Sequence, residues 1–370
     1  MLPVIRHLRE CGIEPVYAVP DPEFALKYLG AEAPRLIRAV PRPRPEPSHR
    51  APASFADILL NGGFRDREAL AAAVDAWKAI YREERVEAVL LDYAPMAQLA
   101  AWLMGLRMAS SAVSFALPPV PMPAFRRGAA DKEAAENSER ELLASVNFVC
   151  ARAGRAAIDN LAPWLHAPKR FITGIPQLNV YDFEPDGGYL GPIGKLAGAQ
   201  AVDWPEKGRR RVLCYLKWSR ELPAFIKSID DAERAMICVV PNAPEDWLRS
   251  VPASRIRLFN KPVEMQSLIQ EAEVVVSNAS NGIACEALVA GKPQLFMPID
   301  QEKALIAARL VGLKAALSLA EKRPAAQSGS YLERLLDDST FGANAKKIST
   351  ELRPKDWDTS LARLGAALAK

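Results

Sequence analysis

The chain has 370 residues, a length that suits two α/β domains of roughly 150 to 200 residues each better than a single core. Its composition, 49% hydrophobic and 25% charged, is that of a globular protein, and no apolar run reaches the roughly 18 residues that would span a bilayer. A net charge of +4, from 48 basic and 44 acidic residues, is too balanced to point to a nucleic-acid partner.

The amino-terminal MLPVIRHLRECG lacks the apolar core and small-residue cleavage site of a signal peptide, so a cytoplasmic location is expected. Short runs rich in Val, Ile and Leu then alternate with stretches of helical period, which is how βαβ units around parallel sheets read. Strands are expected at Glu14 to Val19, Arg35 to Val40, Val86 to Asp92 and Met108 to Phe115. Between them the clearest helix is Asp66 to Glu84, with Leu70, Val74, Trp77 and Tyr81 on one face. Two proline-rich stretches, Pro41 to Pro52 and Leu117 to Arg127, cannot join a central ladder and read as surface loops. The basic clusters Arg126 with Arg127 and Arg209 to Arg211 read as solvated loops. The five cysteines are scattered without a CxxC spacing, which points to buried thiols and neither a zinc site nor disulfides.

From Asp182 to Lys207 the chain is dense in Gly and Pro and aperiodic, as an interdomain linker is. Four parts are therefore expected: a first α/β domain over 1–185, a linker over 186–208, a second α/β domain over 209–345 and a helical tail over 346–370 that crosses back. Strands of the second domain fall at Arg211 to Leu216, Ala235 to Val240, Ile256 to Leu258, Val274 to Ser277 and Gln294 to Met297. In the tail, Leu361, Leu364, Ala367 and Leu368 line one side of an amphipathic helix.

The most informative stretch runs from Glu271 to Leu310. A buried strand, Val274 to Val276, ends in the small and polar residues Ser277, Asn278, Ala279, Ser280, Asn281 and Gly282, which lead into a helix closed by Gly291. Such a turn at a helix amino terminus directs amides and the positive end of the helix dipole at an anion such as a diphosphate, with no metal required. The one D-x-D pattern, Asp356 to Asp358, lies in the tail and away from any core strand. Glu286, about one turn into the helix, faces the same side and is placed to accept from ribose hydroxyls. Asp300 and Gln301 follow the next strand, at a strand end where ligands bind in open α/β sheets, and are placed to bond sugar hydroxyls. The competing reading is that Ser277 to Asn281 caps a helix and that Glu286, Asp300 and Gln301 are solvated.

These residues resemble the donor signature of the family-one UDP-glycosyltransferase group of GT-B enzymes. The matching positions are Val263, Met265, Leu268 and Ile269, then Asn281 and Gly282, then Glu286, Ala287, Leu288, Gly291, Pro293, Gln294 and Leu295, then Asp300 with Gln301; Tyr189 to Ile193 also resembles the family's linker. The resemblance implies a GT-B fold, two Rossmann-like domains with parallel sheets facing each other across a cleft. It implies that Val263 contacts the nucleobase through its backbone, that Ser280 to Gly282 hold the diphosphate, that Glu286 holds ribose and that Asp300 and Gln301 hold the sugar. Asp92 matches the position where some relatives carry an aspartate that orients the base histidine.

The chain departs from that signature in places. The family's diphosphate histidine is Asn278, its paired glycines are Ala279 and Ser280, and its glycine-serine turn is Lys217, Trp218 and Ser219. The family's first strand and the glycine-histidine turn that supplies its base have no counterpart, since Met1 falls just after them. This gives the expectation of a start lying roughly 10 to 20 residues upstream. The three histidines, His7, His49 and His166, are poorly placed to substitute as base. The expected activity is an inverting, metal-independent transfer of a sugar from a UDP- or dTDP-sugar, as co-substrate and without a cofactor, to a hydroxyl on a small-molecule or lipid acceptor. The rival expectation is a non-catalytic GT-B protein that binds nucleotide or supports an active partner. An epimerase on the same architecture lacks placed carboxylate pairs.

Overall fold

The computed structural model describes all residues except 1, 45–50, 127, 167, 193–199, 206–209, 252–254, 320–323, 353 and 370. His49, Arg127, Ile193, Arg209 and much of the first proline-rich stretch therefore lie outside the described residues. The chain divides into two units: Met1–Thr173 with Tyr181–Leu190 and Lys355–Lys370, and Gly174–Val180 with Gly191–Pro354.

The first unit holds strands β1 (Val16–Val19), β2 (Arg35–Arg38), β3 (Ala88–Leu91), β4 (Arg107–Ala112), β5 (Lys169–Ile172) and β6 (Gly188–Tyr189). They form two separate parallel sheets, β1-β2 and β3-β4-β5-β6. The helix Arg67–Glu83 begins at Asp66, whose carboxylate accepts from the Ala69 amide at 3.0 Å. Leu70, Val74, Trp77 and Tyr81 are all buried on it, the stripe its period predicts. Of the expected strand Met108 to Phe115, the last residues form a short 3-10 turn, Ser114–Ala116. The tail forms the helix Pro354–Leu368, which buries Leu364 and Leu368. Gly365 packs against the helix Leu2–Glu10 so closely that a Cβ there would meet Cys11 Sγ and His7 Nε2, each at 2.8 Å.

The second unit holds β7 (Arg210–Tyr215), β8 (Arg234–Val239), β9 (Ile256–Phe259), β10 (Val274–Ser277), β11 (Gln294–Phe296) and β12 (Ala316–Ser318). All pair in parallel in the order β12-β11-β10-β7-β8-β9, the doubly wound order of Rossmann-type sheets. Every residue of β8 and β10 is buried, as both faces of a parallel sheet must be. Alternation sends Val212, Cys214, Val274 and Val276 into a core with Phe225, Leu332 and Phe341, and Leu213, Ile237 and Val275 into a second core with Trp204, Val263, Ile283 and Ala287. Cys150, Cys214, Cys238 and Cys285 are buried free thiols, and Cys11 is exposed.

Three strands escape the sequence reading. β5 has a charged beginning, β12 has three residues, and β6 is a two-residue edge inside the stretch expected as linker, drawn into the first unit by pairing with β5. None is long enough to show a period.

Gly291 ends the helix Asn281–Val289 at φ 70°, and its amide donates to Leu288 O at 2.9 Å. A Cβ there would stand 3.2 Å from Lys346 Cα. Gly291→Ala is therefore expected to cost about 1–2 kcal/mol from the left-handed backbone alone, read as a lower urea midpoint at unchanged slope.

Candidate functional site

In the second unit the sheet order reverses between β7 and β10. β7 continues outward to β8 and β9, and β10 to β11 and β12. Loops that leave the carboxyl ends of two strands at such a point turn apart and leave a crevice. Asn278, the first residue after β10, spans it. Its Oδ1 accepts from the Lys217 amide, just past β7, at 2.7 Å, and its Nδ2 donates to Met297 O, just past β11, at 2.8 Å. The side chain is buried, 7% exposed, so these bonds are shielded from water. The residue expected to face a diphosphate thus has its carboxamide engaged with the ends of the two flanking strands.

The chain then turns through Ala279, which takes the left-handed conformation at φ 60° with its amide donating to Ser277 Oγ at 3.1 Å. Ser280 occupies the amino cap of the helix Asn281–Val289, yet its hydroxyl makes no bond to the first-turn amides. Asn281 is buried against Gly174, where a Cβ would meet its Nδ2 at 3.3 Å. Gly282 is exposed, with nothing within 4 Å of where a Cβ would sit. The first turn therefore has a side chain packed inward at Asn281 and bare backbone outward at Gly282, with the positive dipole end behind it. Gln294, fully buried on β11, donates from Nε2 to Ala284 O at 3.0 Å and holds this helix on the sheet.

One turn further, Glu286 is half-buried, and burial, then the neighbouring charge of Glu264, raises its pKa. Burial, and then Glu286 itself, likewise raises that of Tyr215 at the end of β7. Glu264 is the amino cap of the helix Met265–Glu271, where it accepts from the amides of Gln266 at 2.8 Å and Ser267 at 3.0 Å. Val263, just before it, is a buried core residue bridged to Gln200, and the Glu264 amide donates to Gln200 O at 2.8 Å. Glu286, Tyr215 and the Val263–Glu264 pair thus gather beside the helix, an association between distant positions that no spacing in the sequence displays.

Asp300 is exposed and caps the helix Gln301–Gly312, accepting from the Lys303 amide at 3.1 Å and pairing with Lys303 Nζ at 3.0 Å. Gln301 is half-buried in the first turn of the same helix. Burial lowers the Lys303 pKa, but the hydrogen bond its ammonium donates to Asp300 and the charges of Glu302 and Asp300 outweigh it and leave the pKa raised. Among the described residues no group of three or more His, Cys, Asp and Glu is placed to hold a metal ion.

Asp92 belongs to the first unit, directly after β3, at the rim of a cavity. It is open to solvent, yet the protein around it desolvates the carboxylate and raises its pKa. His7 lies 3.7 Å from Glu10 and 3.6 Å from Cys11, and His166 Nε2 is 3.2 Å from Pro118 O.

Removing the Asn278 carboxamide leaves the Lys217 amide and Met297 carbonyl without their partner. Asn278→Ala is expected to cost about 2–4 kcal/mol in urea unfolding. Asn278→Asp, which keeps the acceptor for Lys217 but sets an oxygen against Met297 O, is expected to be destabilising as well. For Glu286 the raised folded-state pKa means that its charging opposes folding as pH rises. Glu286→Gln should therefore be more stable than the parent at pH 7, and the difference should vanish below about pH 4.

No family model and no curated protein matches the chain. Solved structures do. The glycosyltransferase of kitacinnamycin superposes with a TM-score of 0.72 at 18% identity, over 100% of this chain and 95% of that one. The spinosyn rhamnosyltransferase SpnG gives 0.66 at 19%, over 99% and 95%; it has also been solved with thymidine diphosphate and with spinosyn aglycone. The glycosyltransferase VinC in complex with dTDP gives 0.66 at 17%, over 100% and 95%. Shared over nearly the full length of each, the architecture of this chain is the GT-B fold of glycosyltransferases.

Proposed function

We propose that the chain is a nucleotide-sugar-dependent glycosyltransferase whose second unit binds a dTDP- or UDP-sugar at the helix Asn281–Val289. The reading is carried by that helix starting at the sheet's reversal point with no side-chain cap, and with a half-buried carboxylate one turn in. The amides of Asn281 and Gly282, with the helix dipole, take the diphosphate. Ser280 adds a hydroxyl, and the Lys217 ammonium, whose backbone is tied to Asn278, adds the positive charge that the carboxamide lacks. Asn278 acts as the brace that keeps the phosphate-binding turn and the Lys217 loop together. Glu286 accepts from the ribose hydroxyls, and the backbone at Val263 lies against the base. Binding hydroxyls returns the hydrogen bonds that burial has withdrawn from the Glu286 carboxylate. Asp300 and Gln301 serve the sugar, Asp300 by way of the carboxylate oxygens that remain beside its cap bond.

In the proposed reaction an acceptor hydroxyl held by the first unit attacks the anomeric carbon as the bond to the diphosphate oxygen breaks. The configuration inverts, the hydroxyl proton passes to a base, and the diphosphate leaves with the bonding pair against the helix dipole and Lys217, without a metal ion. Asp92 is assigned to the acceptor side, where a carboxylate whose pKa burial raises is a better proton acceptor than an ordinary one and suits receiving or steering that proton. Thymidine diphosphate is the favoured nucleotide because VinC and SpnG, which share the fold, were solved with it. The engagement of the Asn278 carboxamide favours the second reading, nucleotide binding without turnover, because a neutral brace assists a leaving diphosphate less than a cation does.

Calorimetric titration with dTDP, UDP and GDP is expected to show binding of dTDP or UDP, weakened about tenfold or more by Glu286→Gln and about fivefold by Lys217→Ala. Absence of binding by all three at millimolar concentration overturns the site. Hydrolysis or transfer of labelled dTDP- or UDP-sugars, abolished by Asp92→Asn, supports the transferase, whereas binding without either selects the second reading.

A further inference from the structure

Two half-buried polar side chains of the second unit, the Tyr215 phenol and the Glu286 carboxylate, share one corner beside the helix Asn281–Val289. Tyr215 closes β7, its Cα paired with Ser277 of β10 on one side and with Val239 of β8 on the other. Alternation turns its ring to the same side as Leu213, where it packs on the core that holds Val263, Ile283 and Ala287. Ile283 and Ala287 form the inward face of the helix, and Glu286 immediately precedes Ala287. The ring is thus held between the strand end and the turn that carries Glu286, and the Glu286 charge is felt at the phenol.

Neither group forms a hydrogen bond with a described residue, although one is a donor and the other an acceptor. The other carboxylate of this corner, Glu264, is occupied by the amides of Gln266 and Ser267. Glu286 is therefore the acceptor that both the phenol and a ligand can use.

A carboxylate has two oxygens to satisfy, and a pentose supplies donors according to its chemistry. Ribose brings two hydroxyls, at 2′ and 3′, one for each oxygen. A 2′-deoxyribose brings the 3′-hydroxyl alone, and its second oxygen then loses water without gaining a donor. An unpaired polar group of this kind is what lets a hydrogen-bonding site reject an analogue that lacks one hydroxyl. A donor built into the protein beside the carboxylate removes that penalty.

We propose that Tyr215 is the residue that fits this site to 2′-deoxyribose: its hydroxyl donates to the Glu286 oxygen that a 2′-hydroxyl takes in a ribonucleotide. The inference rests on binding of the nucleotide's pentose at Glu286, and it names the pentose that the site accepts. Under a ribonucleotide the phenol has no part in holding the sugar, so its removal is felt by deoxynucleotides.

UDP and 2′-deoxy-UDP differ by that one hydroxyl, and both are titrated calorimetrically against the full chain, Tyr215→Phe, Glu286→Gln and the double variant. Phenylalanine keeps the ring and its packing. The parent is expected to bind the two nucleotides within about threefold of each other. In Tyr215→Phe, 2′-deoxy-UDP is expected to weaken about tenfold and UDP less than about twofold. With Glu286→Gln already in place, adding Tyr215→Phe is expected to leave the ratio of the two affinities unchanged. Equal weakening of both nucleotides by Tyr215→Phe, as a packing role gives, overturns the proposal and leaves the nucleotide site standing; so does no effect on either. A parent that prefers UDP by more than about tenfold, a result that needs no variant, overturns it as well. If the parent binds neither nucleotide at millimolar concentration, the site and the proposal fall together.

Discussion

The site in the second unit depends on one carboxamide at the place where the sheet changes direction. β7, β10 and β11 are adjacent and parallel, but the loops leaving β7 and β10 belong to opposite halves of the winding and diverge. Nothing in the ladder itself holds those loops together beyond the last paired residues. Asn278 does, because an amide side chain offers an acceptor and donors within one short rigid group and so serves an N–H on one flank and a C=O on the other. The same position filled by a charged group would trade bracing for charge. In this chain the charge stands one strand away, at Lys217, whose backbone the brace fixes.

Electrostatics then set the character of the turn beyond the brace. A helix whose cap residue leaves its first-turn amides unsatisfied by a side chain retains the full attraction of its amino end for an anion. Glu286 lies one turn from that end, where a half-buried carboxylate beside Glu264 is held at a cost to stability. A carboxylate kept against that cost is one that hydrogen bonds from the proposed ribose hydroxyls would relieve.

The two units treat the same architectural problem differently. The second closes a six-stranded sheet around two cores, with the buried strands fully paired. The first divides its sheet, and the helices Leu2–Glu10 and Arg67–Glu83 line the cavity between β1 and β3. The tail helix Pro354–Leu368 packs onto the first of these helices through Gly365, so the end of the chain supports the element beside the divided sheet.

Much of this was legible in the residues alone. The alternation of apolar runs and helical stretches determined the α/β class, because burial on both faces of a parallel strand leaves a continuous Val, Ile and Leu run that needs no partner to be recognised. The helix Arg67–Glu83, the strand Val274–Ser277 and the turn closed by Gly291 were likewise readable, each from a period or a backbone preference contained within a few residues. The short strands β5, β6 and β12 were not, since two to four residues without a marked apolar run exist as a strand only through their neighbours. Tertiary structure alone decided that Asn278 would brace two backbones rather than present a free amide, that Tyr215 and Glu264 would stand beside Glu286, and that β1 and β3 would be separated by a cavity. Each of those outcomes is a contact between residues far apart in the chain, and pairing across such distances is set by the packing of whole elements, which leaves no periodic trace in the order of the amino acids.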